Sequence, residues 1–357
     1  ANFNNALAEA FDKRGVDVGV VSFSLQYPSL LFPGETQYEE GNPPKNIKID
    51  NFINSINPFS WFITAAKINK QNPDYVIIRY WLPFMAPCLG TIARLLKKNI
   101  KVLAITDNII PHEKRIGDKL LTHYFVRGCK YFIALSSSVL NELSAFTNTT
   151  HKIFIPHPIY NAFGNKISKK EALLELGLNP KDRHLLFFGF IRKYKGLDLI
   201  LKALSDTRIK DLNVKLIIAG EFYEDKKIYL DLIDSLSINN QVILHSGFIP
   251  ASNVRHYFCA SDMITQTYHT ATQSGVTQIA YHFERPMLVT DVGGLSEIVR
   301  HKKVGYVTQK EPVDIADYIF DFYSNNKEEE FSQNTIEEKK RFSWEGFIDG
   351  VEELLDI

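Results

Sequence analysis

One stretch limits the folds open to this chain more than any other. Leu185–Leu204 reads LLFFGFIRKYKGLDLILKAL. Four apolar residues in a row, Leu185–Phe188, suit a strand buried on both faces, as in a parallel sheet between two helical layers. Gly189 lets the backbone turn sharply and come close to a ligand. Arg192 and Lys195 fall in the short loop that follows. Gly196 and Asp198 open the next segment, in which Leu197, Ile200, Leu201 and Leu204 share one face of an amphipathic helix. A strand, a glycine turn with two cations and a helix N-terminus together make an anion site. A βα turn with two solvated basic residues leaves the same trace, because exposed Arg and Lys are common.

The rest of the chain bears on that choice. Its 357 residues exceed one ordinary core and fit two domains. With 41 basic against 41 acidic residues and 45% apolar content, it is neither a disordered chain nor a broadly basic nucleic-acid binder. Cys88, Cys129 and Cys259 are far apart, and no Cys/His spacing suggests zinc, which points to a reducing compartment. The apolar region Tyr75–Leu96 is interrupted by Arg79, Pro83, Pro87 and Arg94 and does not read as a membrane span. No leader-like run is visible, so a cytoplasmic location is the expectation.

Strand and helix patterns alternate along the sequence. Ala1–Arg14 reads as a helix closed by Gly15, and Val16–Ser22 as a strand. An α/β domain normally places a strand before its first helix, so a first strand is expected to be missing. Gln26–Asn57, rich in Pro, Gly and Asn, reads as a long functional loop. Helices are expected at Pro58–Lys70, Phe84–Lys98, Glu113–Arg127 and Ser136–Phe146. Strands are expected at Tyr75–Tyr80, Lys101–Thr106, Lys130–Leu135 and Lys152–Ile155. Pro156–Ser168 looks like a linker. A second series follows, with strands at His184–Gly189, Val214–Ala219, Val242–Ser246, Met263–Gln266, Met287–Thr290 and Val304–Val307. Ile315–Ile357 closes the chain with two or three helices. The pattern predicts parallel, doubly wound sheets. The first domain should span 1–160, completed by a C-terminal helix over 343–357, and the second 161–342.

Two such Rossmann-like domains, with the anion turn in the second, resemble the GT-B glycosyltransferases, which face each other across a cleft. Within these, the GT4 family of retaining, nucleotide-sugar-dependent enzymes is the most similar. FFGFIRKYKGLD resembles the family's phosphate turn, with Lys195 on the family lysine; Phe190 stands where the family has arginine, and Arg192 follows two residues later. LIIAGE, ending at Glu221, and ILHSGFIP, containing Phe248, resemble strands whose ends approach the nucleotide base. PMLVTDVGGLSEIV, containing Glu297, is the most specific run. DNIIPHE, from Asp107 through His112, resembles a segment lining the acceptor side. The family also carries two glutamates eight residues apart, one for the sugar and one for the ribose. Counting back from Pro286, those positions hold Ala271 and Ile279, and Gln273 and Gln278 are the nearest polar substitutes.

The resemblance implies transfer of a sugar from a nucleotide donor to a hydroxyl of a glycan or lipid-linked acceptor. Departure of a diphosphate builds negative charge that a metal or protein cations must neutralise. The sequence holds no Asp-x-Asp pair and no carboxylate cluster suited to Mg²⁺. Arg192 and Lys195 are therefore expected to neutralise it, with no metal and no cofactor beyond the donor. Gln273–Gln278 supplies a second helix N-terminus: Gly275 frees backbone N–H groups beside Val276, and Ser274 either caps that helix or bonds a phosphate. Glu297 fits a helix-dipole role as well as a site role. Asp107 and His112 follow a strand end, the ligand edge of a parallel sheet. The absent glutamates keep a second reading open, a GT-B relative with altered catalysis, either epimerase-like or binding-only. RLLKKNIK (Arg94–Lys101) and Glu113–Arg127 place cations beside apolar residues, as surfaces in transient contact with a membrane do.

Overall fold

The computed structural model describes residues 2–28, 47–110, 115–159, 163–271 and 274–357. The chain forms two compact units. The first comprises Ala1–His157 with Trp344–Ile357, and the second Pro158–Ser343.

The first unit runs α1 (Asn2–Lys13), β1 (Gly19–Leu25), β2 (Lys48–Asn54), α2 (Pro58–Gln71), β3 (Tyr75–Tyr80), α3 (Ala86–Leu95), β4 (Lys101–Thr106), α4 (Asp118–Val126), β5 (Tyr131–Ala134), α5 (Ser137–Leu143) and β6 (Lys152–Phe154). Local chemistry sets several of these boundaries. Asn57 caps α2 by accepting from the Phe59 N–H at 3.0 Å, Pro58 occupies the first turn, and Asn72 ends the helix in a left-handed conformation. Ser136 caps α5 through the Val139 N–H.

Among the described residues, the expected single sheet is two parallel sheets. Strands β3-β4-β5-β6 form one, and β1 pairs only with β2. Side chains join them instead of a ladder: Ile53, Ile68, Cys88 and Ile92 pack with Val21, Phe23 and Val76. Strand β2 lies within the segment read as a loop, most of which (29–46) falls outside the described residues. Its sequence KIDNFIN carries Asp and Asn, which propensity disfavours in strands, and pairing with β1 overrides that preference. The helix expected from Phe84 is a 3₁₀ turn at Pro83–Met85 leading into α3, with Pro87 in the first turn of the helix.

The second unit runs α6 (Lys169–Glu175), β7 (Arg183–Phe188), α7 (Leu197–Leu204), α8 (Thr207–Asp211), β8 (Val214–Gly220), α9 (Lys227–Ser235), β9 (Val242–Ser246), α10 (Ala251–Ala260), β10 (Met263–Gln266), α11 (Gly275–His282), β11 (Met287–Thr290), α12 (Leu295–Ile298), β12 (Gly305–Thr308), α13 (Pro312–Ser324) and α14 (Glu328–Glu338). Its sheet has the order β12-β11-β10-β7-β8-β9, all parallel. The chain winds outward from β7 to β9, then returns to the other side of β7 with β10. The topological switch point therefore lies between β7 and β10. One core lies on each face. Leu185, Phe187, Ile200 and Leu204 belong to one, and Leu186, Ile217, Phe258 and Ile264 to the other. The final helix, α15 (Trp344–Leu355), belongs to the first unit, where Trp344 packs tilted and Phe347 edge to face against Phe3. Arg14 ties α15 to the end of α1 through Asp349 and Glu352.

Candidate active site

Strand β7 ends at Phe188, and Gly189 takes φ of +97°, which turns the chain away from the sheet. Ile191 then bonds alongside the segment after β8, donating to the Glu221 carbonyl at 2.8 Å and accepting from the Tyr223 N–H at 3.0 Å. A 3₁₀ turn, Lys193–Lys195, leads through Gly196 into α7. A Cβ on Gly196 would overlap the Thr267 carbonyl, so only glycine lets this turn press against the loop after β10. That loop is stapled to the turn in three places. The Thr267 hydroxyl donates to the Gly196 carbonyl at 2.8 Å, the His269 N–H donates to the Tyr194 carbonyl at 2.7 Å, and His269 Nε2 lies 2.8 Å from Asp198.

Lys195 is held at the centre of this arrangement. Its ammonium stands 3.1 Å from where a Gly189 Cβ would be and 5.7 Å from the Tyr268 ring centre. Among the described residues it makes no ion pair with a carboxylate. Burial lowers its pKa to about 8, and repulsion from Arg192 adds to the fall. A half-buried cation without a counter-ion is costly unless an anion joins it.

Across from Lys195 stands the start of α11. Ser274 caps it, accepting from the Val276 N–H at 3.2 Å, and lies 3.1 Å from the buried Tyr268 hydroxyl. Among the described residues, nothing lies within 4 Å of the place a Cβ would take on Gly275. The two features share one pocket of about 340 Å³, at the carboxyl ends of β7, β8 and β10 beside the switch point. Gly189, Lys195, Glu221, Phe248, Ser274, Gly275 and Val276 line it, together with Phe188, Phe190, Tyr194, Tyr268 and Ile279. Its rim is aromatic and open: Phe248 is 71% exposed, and Phe190 meets Tyr223 edge to face at 4.7 Å.

Other predicted residues lie elsewhere. Arg192 does not line the pocket; its guanidinium lies 4.8 Å from the Tyr223 ring centre. Gln278 is buried and does not line it either. Val276 and Ile279, three residues apart, share the helix face toward the pocket, and Gln278, two residues from Val276, points elsewhere. Among the described residues, neither amide atom of Gln278 has a hydrogen-bond partner. Glu297 sits in the four-residue α12, outside the pocket lining. Asp107, in the first unit just past β4, accepts a two-pronged ion pair from Arg79 at 2.7 and 2.8 Å. Gln273 and His112 fall outside the described residues. Sequence reading missed Tyr268, Phe190 and Tyr194; the tyrosine just after β10 was the available signal, since a strand end at a switch point faces ligand. Among the described residues, no group of three or more His, Cys, Asp or Glu is placed to hold a metal ion.

The fold is that of the GT-B glycosyltransferases. A glycosyltransferase from Rickettsia africae ESF-5 superposes with a TM-score of 0.71 at 16% identity, covering 98% of this chain and 93% of that one. Anabaena Alr3699/HepE, solved in complex with UDP, gives 0.70 at 16% identity over 87% and 86%. Residues 168–341 match the family "Glycosyl transferases group 1", so the second unit is a domain of that family. Its relatives are sugar transferases. The D-inositol 3-phosphate glycosyltransferase of Pseudarthrobacter chlorophenolicus is 25% identical over 320 residues, 84% of this chain and 75% of that protein. The N-acetyl-alpha-D-glucosaminyl L-malate synthase of Bacillus anthracis is 22% identical over 296 residues, 79% and 73% of the two chains.

Proposed function

We propose that this protein transfers a sugar from a nucleoside-diphosphate sugar to an acceptor hydroxyl, with retention of anomeric configuration and without a metal ion. The observation that carries the reading is Lys195, a half-buried cation without a carboxylate partner, opposite the Gly275 end of α11 in one pocket. A diphosphate seated there meets the ammonium on one side and a helix N-terminus on the other. Charge developing on the departing phosphate is stabilised by groups already in place, so little reorganisation accompanies bond breaking. The base lies toward Phe248 and Ile249, where an aromatic face is exposed for stacking. Glu221 is the one carboxylate lining the pocket among the described residues, and it takes the ribose hydroxyls. The position that holds a glutamate in the GT4 pattern is Ile279, which cannot accept such a bond. The acceptor is a glycan or lipid-linked hydroxyl, and the enzyme works in the cytoplasm, where sugar nucleotides are made.

The test is a panel of UDP-, GDP- and ADP-sugars with calorimetry and product detection. Binding of one donor with transfer to a hydroxyl, and the same anomeric configuration in product and donor by NMR, supports the proposal. Ile279 favours one competing reading, a protein that binds sugar nucleotides without transferring them; binding without transfer across the acceptor panel would select it.

A further inference from the structure

Lys195 carries its charge on a long, flexible stem, and an ammonium on such a stem gains hydration by swinging out to water. Its neighbours in the chain hold it inward, and three consecutive residues beyond β10 hold those neighbours. The Thr267 hydroxyl bonds the Gly196 carbonyl and the His269 N–H bonds the Tyr194 carbonyl, so the residues on both sides of Lys195 are pinned. Between them, Tyr268 sets its ring centre 5.7 Å from the ammonium and meets the Tyr194 ring edge to face at 6.2 Å. The Tyr268 hydroxyl lies 3.1 Å from that of Ser274, the cap of α11, and its carbonyl accepts from Thr290 at 2.6 Å. Thr267, Tyr268 and His269 therefore join the lysine turn to the start of α11.

Side chains close the outer end of this arrangement. His269 Nε2 lies 2.8 Å from Asp198 Oδ1, and Lys202, one turn further along α7, donates to Oδ2 at 3.2 Å. Both carboxylate oxygens are thus engaged. Asp198 is the acid nearest to Lys195 in sequence, three residues on, and its ion pairs among the described residues are with Lys202 and His269. Released from His269, it has an oxygen to offer the Lys195 ammonium, and an ammonium paired in that way is lost to an incoming anion. His269 and Asp198 are partly exposed, whereas Thr267 and Tyr268 are buried. Substitution can therefore remove this contact without opening the core.

We propose that His269 and Asp198 are positioning residues, whose pair holds Lys195 in the pocket by fastening its turn to the loop after β10 and by keeping Asp198 from capturing the ammonium. Neither residue lines the pocket. The imidazole Nε2–H donates to the carboxylate in the neutral ring as in the charged one, so the role is one of geometry. The purpose of holding Lys195 rests on the donor reading, yet the state of that lysine is measurable with no donor present.

Acetylation of the full chain with acetic anhydride at rising pH, with Lys195 followed by mass spectrometry, reads its titration midpoint. Burial and Arg192 set that midpoint at about 8 in the wild type. His269→Ala and Asp198→Ala should each raise it by about one unit or more, toward 10.5, as the ammonium reaches water or a carboxylate. The ionisable groups around Lys195, which are Arg192 on its own turn and Tyr194, Tyr268 and Glu221 in the pocket lining, are unchanged in these variants. His269→Gln, whose amide can donate to Asp198, should restore the wild-type midpoint. The double alanine variant should shift it no further than the larger single one, as for two residues acting through one contact. With the donor found by the sugar-nucleotide panel, kcat/KM should fall at least about tenfold in the alanine variants and recover in His269→Gln. Circular dichroism checks that each variant is folded. A Lys195 midpoint unchanged in both alanine variants overturns the proposal whatever their stability, because the pair then only fastens a loop. So does a shift that His269→Gln fails to reverse, or wild-type transfer by a variant whose midpoint has moved. A moved midpoint in a protein that binds no sugar nucleotide supports the holding of Lys195 and removes the donor reading, so the two fail separately.

Discussion

Replacing Lys195 by methionine keeps most of the stem volume and removes the charge. In the ligand-free protein the ammonium is disfavoured by burial and by Arg192, and its pKa falls from 10.5 to about 8. That fall corresponds to about 3 kcal/mol against the charged form at neutral pH, which partial exposure reduces to about 2 kcal/mol. Lys195→Met is therefore expected to raise unfolding stability at pH 7 by about 2 kcal/mol. The pH dependence fixes the sign. Between pH 8 and 10.5 the unfolded chain holds more protons than the folded one, so wild-type stability rises with pH across that window. The penalty is full below pH 8 and gone above 10.5. The variant lacks this rise.

Donor binding moves the other way. A hydrogen bond to a charged group is worth about 1.5–3 kcal/mol, so nucleoside-diphosphate affinity should drop about 10- to 150-fold. In the wild type the same affinity should weaken above pH 8 as the free enzyme's lysine loses its proton. Urea unfolding at several pH values and calorimetry with UDP and GDP measure both effects. A variant less stable at pH 7, a pH profile parallel to wild type between 8 and 10.5, or unchanged nucleotide affinity would each refute the reasoning.

Gly275→Val fills the open space beside the α11 N-terminus; calorimetry should show no donor binding while circular dichroism stays native. Transfer should survive EDTA, since the proposed charge neutralisation uses Lys195 and a helix end; activity restored only by Mg²⁺ or Mn²⁺ would count against it. Arg79→Met leaves Asp107 without its two hydrogen bonds and should cost about 2 kcal/mol in denaturant titration. Gln278→Leu replaces a buried amide whose atoms have no partners among the described residues, and should be neutral or stabilise by about 1 kcal/mol without changing donor affinity. A loss of affinity there would place Gln278 in the donor site.

The parts legible in the sequence are those decided by local patterns. Apolar runs marked the centres of β7, β8 and β11, at Leu185–Phe188, Leu216–Ala219 and Met287–Val289, because strands buried on both faces are largely apolar. The glycine of the β7 turn was legible too, because few residues other than glycine can take that turn, and it drew attention to the lysine proposed to meet the phosphate. Features decided by neighbours distant in sequence stayed hidden. Arg79 and Asp107 meet because β3 and β4 run in parallel register, with Tyr80 opposite Thr106. That register sets Asp107 beside the end of β3, and a sequence shows only an acid after a strand. Strand β2 exists because β1 offers it a ladder, against its own composition.

The same distinction explains what replaces the missing glutamates. Reading polar character along Gln273–Gln278 put forward both amides as substitutes. Helical geometry instead asks which positions share a face, and Val276 and Ile279 do. Among the described residues, the α11 side chains toward the pocket are therefore apolar, and the proposed ribose contact falls to another strand end. Glu221, just beyond β8 and in the pocket, meets that need. Glu221→Gln should weaken nucleoside-diphosphate binding by roughly the charge-assisted part of two ribose hydrogen bonds, about 1–2 kcal/mol. A 2′,3′-dideoxynucleotide should bind wild type and variant equally. If the variant discriminates between ribose and dideoxyribose as strongly as wild type, the ribose is held elsewhere and the apolar α11 wall has some other polar partner.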